Sequence, residues 1–227
     1  MRRIGLFIVG LLAVAPAGWA GGATGEDPSA GKAREAAERL PLPADEARAA
    51  AEAAVEEAFG DDLKASDDAA RIAVAGKLIE TAAATDDPAS KLVMYERAAA
   101  LAALAGKAEL VSDAARAVAA RSEVDRIDYR HRALTEVQRW ARSAEDAAYL
   151  AEALLALREE AVGADRFESA LRMARQAVSA ARLAGSTELR RAARTAERET
   201  RQLHAAYQRL KPMLDRLAES PDDAEAN

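Results

Sequence analysis

Apolar residues recur along most of this chain in steps of three and four, the period of an amphipathic α-helix. The clearest case is residues 144–184, which reads as two helices joined by a turn at Val162, Gly163, Ala164 and Asp165. In its second half Phe167, Ala170, Leu171, Ala174, Ala177, Val178 and Ala181 share one face. That face is mostly alanine, so a neighbouring helix can approach closely, which suits a stacked array of helical hairpins.

The same period predicts five helices before this hairpin, at 44–59, 66–84, 88–105, 108–121 and 125–142. Their punctuation is chemical. Gly60 and Gly106 read as helix stops, because glycine adopts the left-handed conformation that ends a helix. Ser66, Asp87 before Pro88, and Ser143 read as N-caps, whose side-chain oxygens accept from free amides of the first turn.

After Gly185 and a cap at Ser186 the pattern changes. Leu189, Ala193, Ala196, Thr200, Leu203, Tyr207, Leu210, Leu214 and Leu217 alternate in steps of four and three, a heptad seam able to pack along several neighbours or pair with a second chain. Pro212 removes an amide donor inside that helix, so a kink is expected there.

Composition agrees with the pattern. Half of the 227 residues are hydrophobic but only 4% are aromatic, so the core is built from Ala and Leu and the fold class is all-α. The expected architecture is a right-handed α-solenoid of antiparallel hairpins ending in a long helix. A net charge of −6 argues against general nucleic-acid binding. The chain has no cysteine, which excludes disulfides, thiolate metal sites and a cysteine nucleophile.

Residues 1–20 open with Arg2 and Arg3, continue with an apolar run from Ile4 to Ala15, and finish on the small residues Gly18 and Ala20. A secretory signal peptide fits this, and so does an uncleaved anchor; the short run, ended by Pro16, favours the signal peptide. Residues 21–43 read as a flexible linker, residues 44–219 as the helical-repeat domain, and residues 220–227 as a polar tail or the start of a further, truncated repeat. The expected location is exported, in the periplasm or cell envelope.

Candidate chemistry is sparse. The pairs Asp61-Asp62, Asp67-Asp68, Asp86-Asp87 and Asp222-Asp223 lack the spaced ligands of a calcium loop and fall where helices begin or loops turn, so capping is favoured. His131 shares a face with Ile127 and Leu134 with no carboxylate or serine at a telling distance, and His204 sits beside the seam. No catalytic, metal or cofactor residue is assigned, and no enzyme is expected.

Two stretches could meet a partner. Arg130 and Trp140 belong to an aromatic and basic run, whose bland reading is packed rings under solvated arginines. Arg190, Arg191, Arg194, Arg198 and Arg201 make the end of the chain basic while residues 45–68 are acidic. Either the basic face binds an anionic partner, or the two ends attract one another within the fold.

The hairpin at 144–184 resembles a tetratricopeptide repeat, with Ala170 and Ala177 at its small positions, Phe167 before them and Leu157 at the leucine of the first helix. Arg158 stands where that repeat prefers glycine, and Ala174 where it prefers an aromatic. The mature chain is also similar to uncharacterised exported helical-repeat proteins of the planctomycete type. Leu40-Pro41-Leu42-Pro43, Asp86-Asp87-Pro88, Tyr95-Glu96-Arg97-Ala98 and Leu210-Lys211-Pro212 are among the residues that carry this likeness. The first resemblance implies peptide recognition on a concave surface; the second implies no activity. Together with the sequence pattern they lead us to expect a non-enzymatic scaffold that binds another envelope protein and needs no cofactor. The alternative is a spacer that self-associates through the seam 189–217. Nucleic acid is excluded as a partner, a membrane surface is disfavoured, and a homodimer stays open.

Overall fold

The structure, a computed structural model, describes residues 39–219. The expected signal peptide, nearly all of the expected linker and the tail 220–227 lie outside the described residues. Within them the chain is all-α, as its composition requires: eight helices and no strand. They are α1 (Asp45–Leu63), α2 (Asp68–Ala84), α3 (Pro88–Leu104), α4 (Ala108–Arg121), α5 (Arg126–Val137), α6 (Ala144–Gly163), α7 (Phe167–Leu183) and α8 (Thr187–Glu219).

Most starts follow local chemistry. Asp67, Asp87, Asp125 and Ser143 accept from the amides of Ala70, Ser90, Asp128 and Asp146 at 2.8, 2.8, 2.9 and 3.0 Å, and Ser186 accepts from Leu189 at 3.2 Å. The cap of α2 is therefore Asp67, one residue after the expected Ser66. Pro88 occupies the first turn of α3, where its missing N–H costs nothing.

Two boundaries depart from local expectation. Gly60 does not stop α1, which continues to Leu63 and ends where the amides of Lys64 and Ala65 bond back to Asp61 and Asp62. Leu63, beyond it, packs against the core, and that contact offsets the ~1 kcal/mol a helical glycine costs. The fifth helix ends at Val137, five residues early, because the amides of Trp140 and Ala141 both turn back to the Val137 carbonyl. Helix α8 carries Pro212 inside it, as expected, and runs as one helix of 33 residues, about 50 Å long.

The packing is sequential. Apart from α1, which leans on α3 more than on α2, each helix packs on its neighbours in the chain; every other substantial contact skips one helix, as in α2 on α4, α4 on α6 and α6 on α8. The most fully buried large side chains include Leu78, Val93 and Val111 in the first half and Leu150, Leu154, Leu157 and Met173 in the second. Between them lie alanines, among them Ala75, Ala98, Ala114, Ala147, Ala170, Ala174 and Ala177, all fully buried. Each buried Leu contributes ~1.5–3 kcal/mol, while the alanines set how closely the backbones approach.

The last few residues expected to be linker belong to this body. Leu40 donates its amide to the Arg121 carbonyl at 2.8 Å, and its own carbonyl accepts from Glu123 at 3.0 Å. An extended strap, residues 40–43, thus lies over Leu92, Tyr95 and Val118. Pro41 and Pro43 cannot donate, so Leu40 and Leu42 are the strap residues able to pair through an N–H.

Two glycines make opposite predictions. Gly106 has a φ of +71°, and a Cβ there would overlap the Trp140 carbonyl. Gly163 closes α6 with nothing within 4 Å of its would-be Cβ; the left-handed residue of that turn is Asp165, at φ +57°. Gly106→Ala is expected to lose about 1–3 kcal/mol in urea unfolding, whereas Gly163→Ala is neutral or gains about 0.5–1 kcal/mol.

Candidate functional site

The arginines of α8 form the one candidate surface that holds together spatially. At 100° per residue Arg190, Arg191, Arg194, Arg198 and Arg201 fall within one third of the helix circumference. On the opposite side are Ala193, Ala196 and Thr200, buried against α6 and α7. Packing of the small side thus turns the cationic side outward. Arg190 is tied to the Ser186 carbonyl and Thr187 Oγ1 at 3.3 and 3.0 Å, and Arg198 to Thr195 Oγ1 at 3.2 Å. Arg201 bonds Glu197 at 2.7 Å, which also meets Arg175 at 3.5 Å. Arg191 and Arg194 are exposed and enter no ion pair among the described residues.

Arg130 and Trp140 lie elsewhere. Arg130 is spent on a two-pronged bond to Glu160 at 2.9 and 2.7 Å, tying α5 to α6. Trp140, 39% exposed, sits on the α5–α6 connection with its carbonyl against Gly106. Because α5 packs on α3, α4 and α6, these two residues are not brought to the α8 surface. The seven residues expected at a partner site therefore split into an α8 face and two structural positions.

The other candidates have structural partners. His131 Nε2 meets Gln176 Oε1 at 2.6 Å, which makes the imidazole the donor; Gln176 Nε2 then donates to Thr135 Oγ1 at 3.1 Å, and that hydroxyl donates to the His131 carbonyl at 2.8 Å. This closed network links α5 to α7. His204 stacks on Phe167 with centroids 6.0 Å apart. Of the aspartates, Asp67 and Asp87 cap helices, Asp62 pairs with Lys77 at 2.9 Å and Asp61 with Lys64 at 3.3 Å. Among the described residues no group of three His, Asp or Glu side chains is placed to hold a metal ion, and no helix is long and apolar enough to cross a membrane.

The acidic start and basic end do not meet. Helix α1 packs on α3 and α2, and its Arg48 joins Glu52 at 3.0 Å and Glu96 at 2.6 Å. From α6 and α7 it is the carboxylates of α8 that are met, Glu199 by Arg158 and Glu197 by Arg175.

Sequence reasoning missed two polar anchors. Arg158, 8% exposed, donates through Nε to Thr200 Oγ1 at 2.7 Å and through Nη2 to the Ala196 carbonyl at 3.4 Å, with Glu199 at 3.9 Å. The available signal was a charge on the apolar stripe of Leu150, Leu154 and Leu157 facing a threonine in the seam. Arg166 gathers Asp125 at 2.6 and 2.7 Å and Asp128 at 2.6 Å. Burial pushes the Asp125 carboxyl up, but the Asp128 amide and the Arg166 guanidinium outweigh it and hold it below its ordinary value.

Comparison with known protein families finds no matching model, and comparison with curated proteins and with solved structures finds no match.

Tyr129 supplies a pH test of the packing around α5. Burial, reinforced by the Glu96 charge, pushes its phenol up to about 12. The folded state thus holds the proton more tightly than the unfolded chain, so this contribution is complete below pH ~10 and is lost as pH rises toward ~12. Denaturant midpoints measured across that window are expected to fall in the parent chain, and to fall less steeply in Tyr129→Phe.

Proposed function

We propose that this chain is a non-enzymatic, exported interaction scaffold, a right-handed solenoid of helical hairpins that presents the arginine face of α8 to an acidic surface on another envelope protein. The observation that carries this reading is the outward cationic face, exposed at the last helix and left uncompensated by the acidic first helix. The solenoid arrangement is supported by contacts that join helices one or two places apart. The likeness of residues 144–184 to a tetratricopeptide repeat points the same way. Export is supported by the cationic, apolar and small-residue order of residues 1–20.

The test is capture from the native envelope with the chain as bait, beside the variant Arg191→Glu/Arg194→Glu/Arg198→Glu. These side chains are exposed, so the melting temperature is expected to stay within a few degrees. Capture is expected to be lost in the variant, and to weaken in the parent chain as salt rises to about 0.5 M, where screening reaches only a few Å. Capture that survives both the variant and the salt overturns the arginine face as the binding surface.

A further inference from the structure

The seam of α8 has two halves with different fates. Ala193, Ala196 and Thr200 are buried under α6 and α7, but the register continues unbroken into Leu203, Leu210 and Leu214, which are 45%, 53% and 49% exposed, and Met213 on its flank is 43% exposed. The body ends where α7 begins. Phe167, its first residue, stacks on His204 and packs on Tyr207 at 4.9 Å, so α7 runs antiparallel to α8 and stops beside residue 207. The helix then projects through about ten further residues, roughly 15 Å. Its apolar face points to the side on which α6 and α7 lie, because the heptad register is the same in both halves.

That geometry is a step. The tread is the apolar face of the projecting arm, and the riser is the α6–α7 turn, where Asp165, Phe167 and Glu168 lie beside His204, Tyr207 and Gln208. A flat bilayer laid on the tread collides with the riser. A single helix antiparallel to α8, continuing the layer that α7 occupies, does not. Its carbonyl end would face the amide end of α7, the favourable sense for two helix dipoles.

We propose that the occupant is the same arm of a second copy of this chain. An antiparallel pair centred on Pro212 sets Leu210 against Leu214 of the second copy and Tyr207 against Leu217, each heptad position facing its complement. The flanks are compatible with this. Met213 meets the second copy's Met213 on one side, and on the other Lys211 is already neutralised by Asp215, 2.9 Å away in its own helix. One two-fold operation fills both steps at once, so the assembly closes as a dimer and does not grow into a filament. Arms of about ten residues are too short to bury the ~800 Å² per partner of a standard interface, so the pair is expected to be weak and to exchange with monomer at about 10–100 μM. The proposal uses none of the arginines assigned to partner binding and stands or falls apart from them.

Sedimentation of the full chain over that concentration range is expected to show a monomer–dimer equilibrium. Leu210→Glu and Leu214→Glu lie outside the packed core, and each is expected to abolish the dimer while helical circular dichroism and melting temperature hold. The absence of native cysteine allows a second readout. Leu210→Cys mixed with Leu214→Cys is expected to form a disulfide-linked pair under mild oxidation, in several-fold greater yield than either variant alone. A concentration-independent monomer, a dimer that survives Leu210→Glu, or equal self-linking by each single variant overturns the arrangement.

Discussion

Alanine has little surface to bury, so a core made from it holds only if helix backbones come close enough for their main chains to touch. This constraint governs the whole body. Ala98, Ala114, Ala147, Ala170, Ala177 and Ala193 are fully buried at successive interfaces, and none of them could be enlarged without pushing two helices apart. The large side chains, such as Leu78, Leu154 and Met173, fill what remains between close-set helices. Close approach also explains why connections are short and why Gly106 must be glycine: the Trp140 carbonyl occupies the space a side chain would need.

Arg158 is the deliberate breach of that rule. A guanidinium inside an alanine and leucine interface is costly unless each donor finds an acceptor. Its Nε and Nη2 find acceptors on α8, at Thr200 Oγ1 and the Ala196 carbonyl, and Nη2 also reaches toward the Glu199 carboxylate at the rim. Alanine-lined helices can slide along one another with little change in buried area. A directional anchor halfway along the seam fixes where α8 sits, and with it how much of α8 projects beyond the body.

What could be read from the sequence was whatever is decided within a few residues. The aspartate and serine caps, Pro88 opening α3, and the span of α4 all rest on neighbouring backbone and side-chain chemistry. So does the face containing Phe167, Ala170, Ala174 and Ala177. Tertiary contacts decided the rest. Gly60 is carried through α1 by the packing of Leu63 beyond it, the fifth helix is cut short by its turn at Val137, and Asp165 takes the left-handed conformation that Gly163 invites. The candidate surface was legible in part for the same reason. Five arginines on one face of one helix follow from spacing alone, whereas Arg130 could be assigned to Glu160 only once α5 and α6 were packed together. Ala193 and Leu210 look alike as seam positions; only the point at which α7 begins, beside Tyr207, leaves one buried and the other exposed.

The strap at Leu40 has a kinetic meaning. Nearly all of this fold can assemble from contacts made over one or two helices, so its sequence separations are short, and helical domains of low contact order fold in microseconds to milliseconds. The two main-chain bonds from Leu40 to Arg121 and Glu123 are of another kind, since they close a loop that contains α1, α2, α3 and α4 entire. Such a closure gains nothing until the helices it spans are in place, because its entropy cost falls due before any contact repays it. The strap over Tyr95 and Val118 is therefore expected to lock only after the helices it spans have packed.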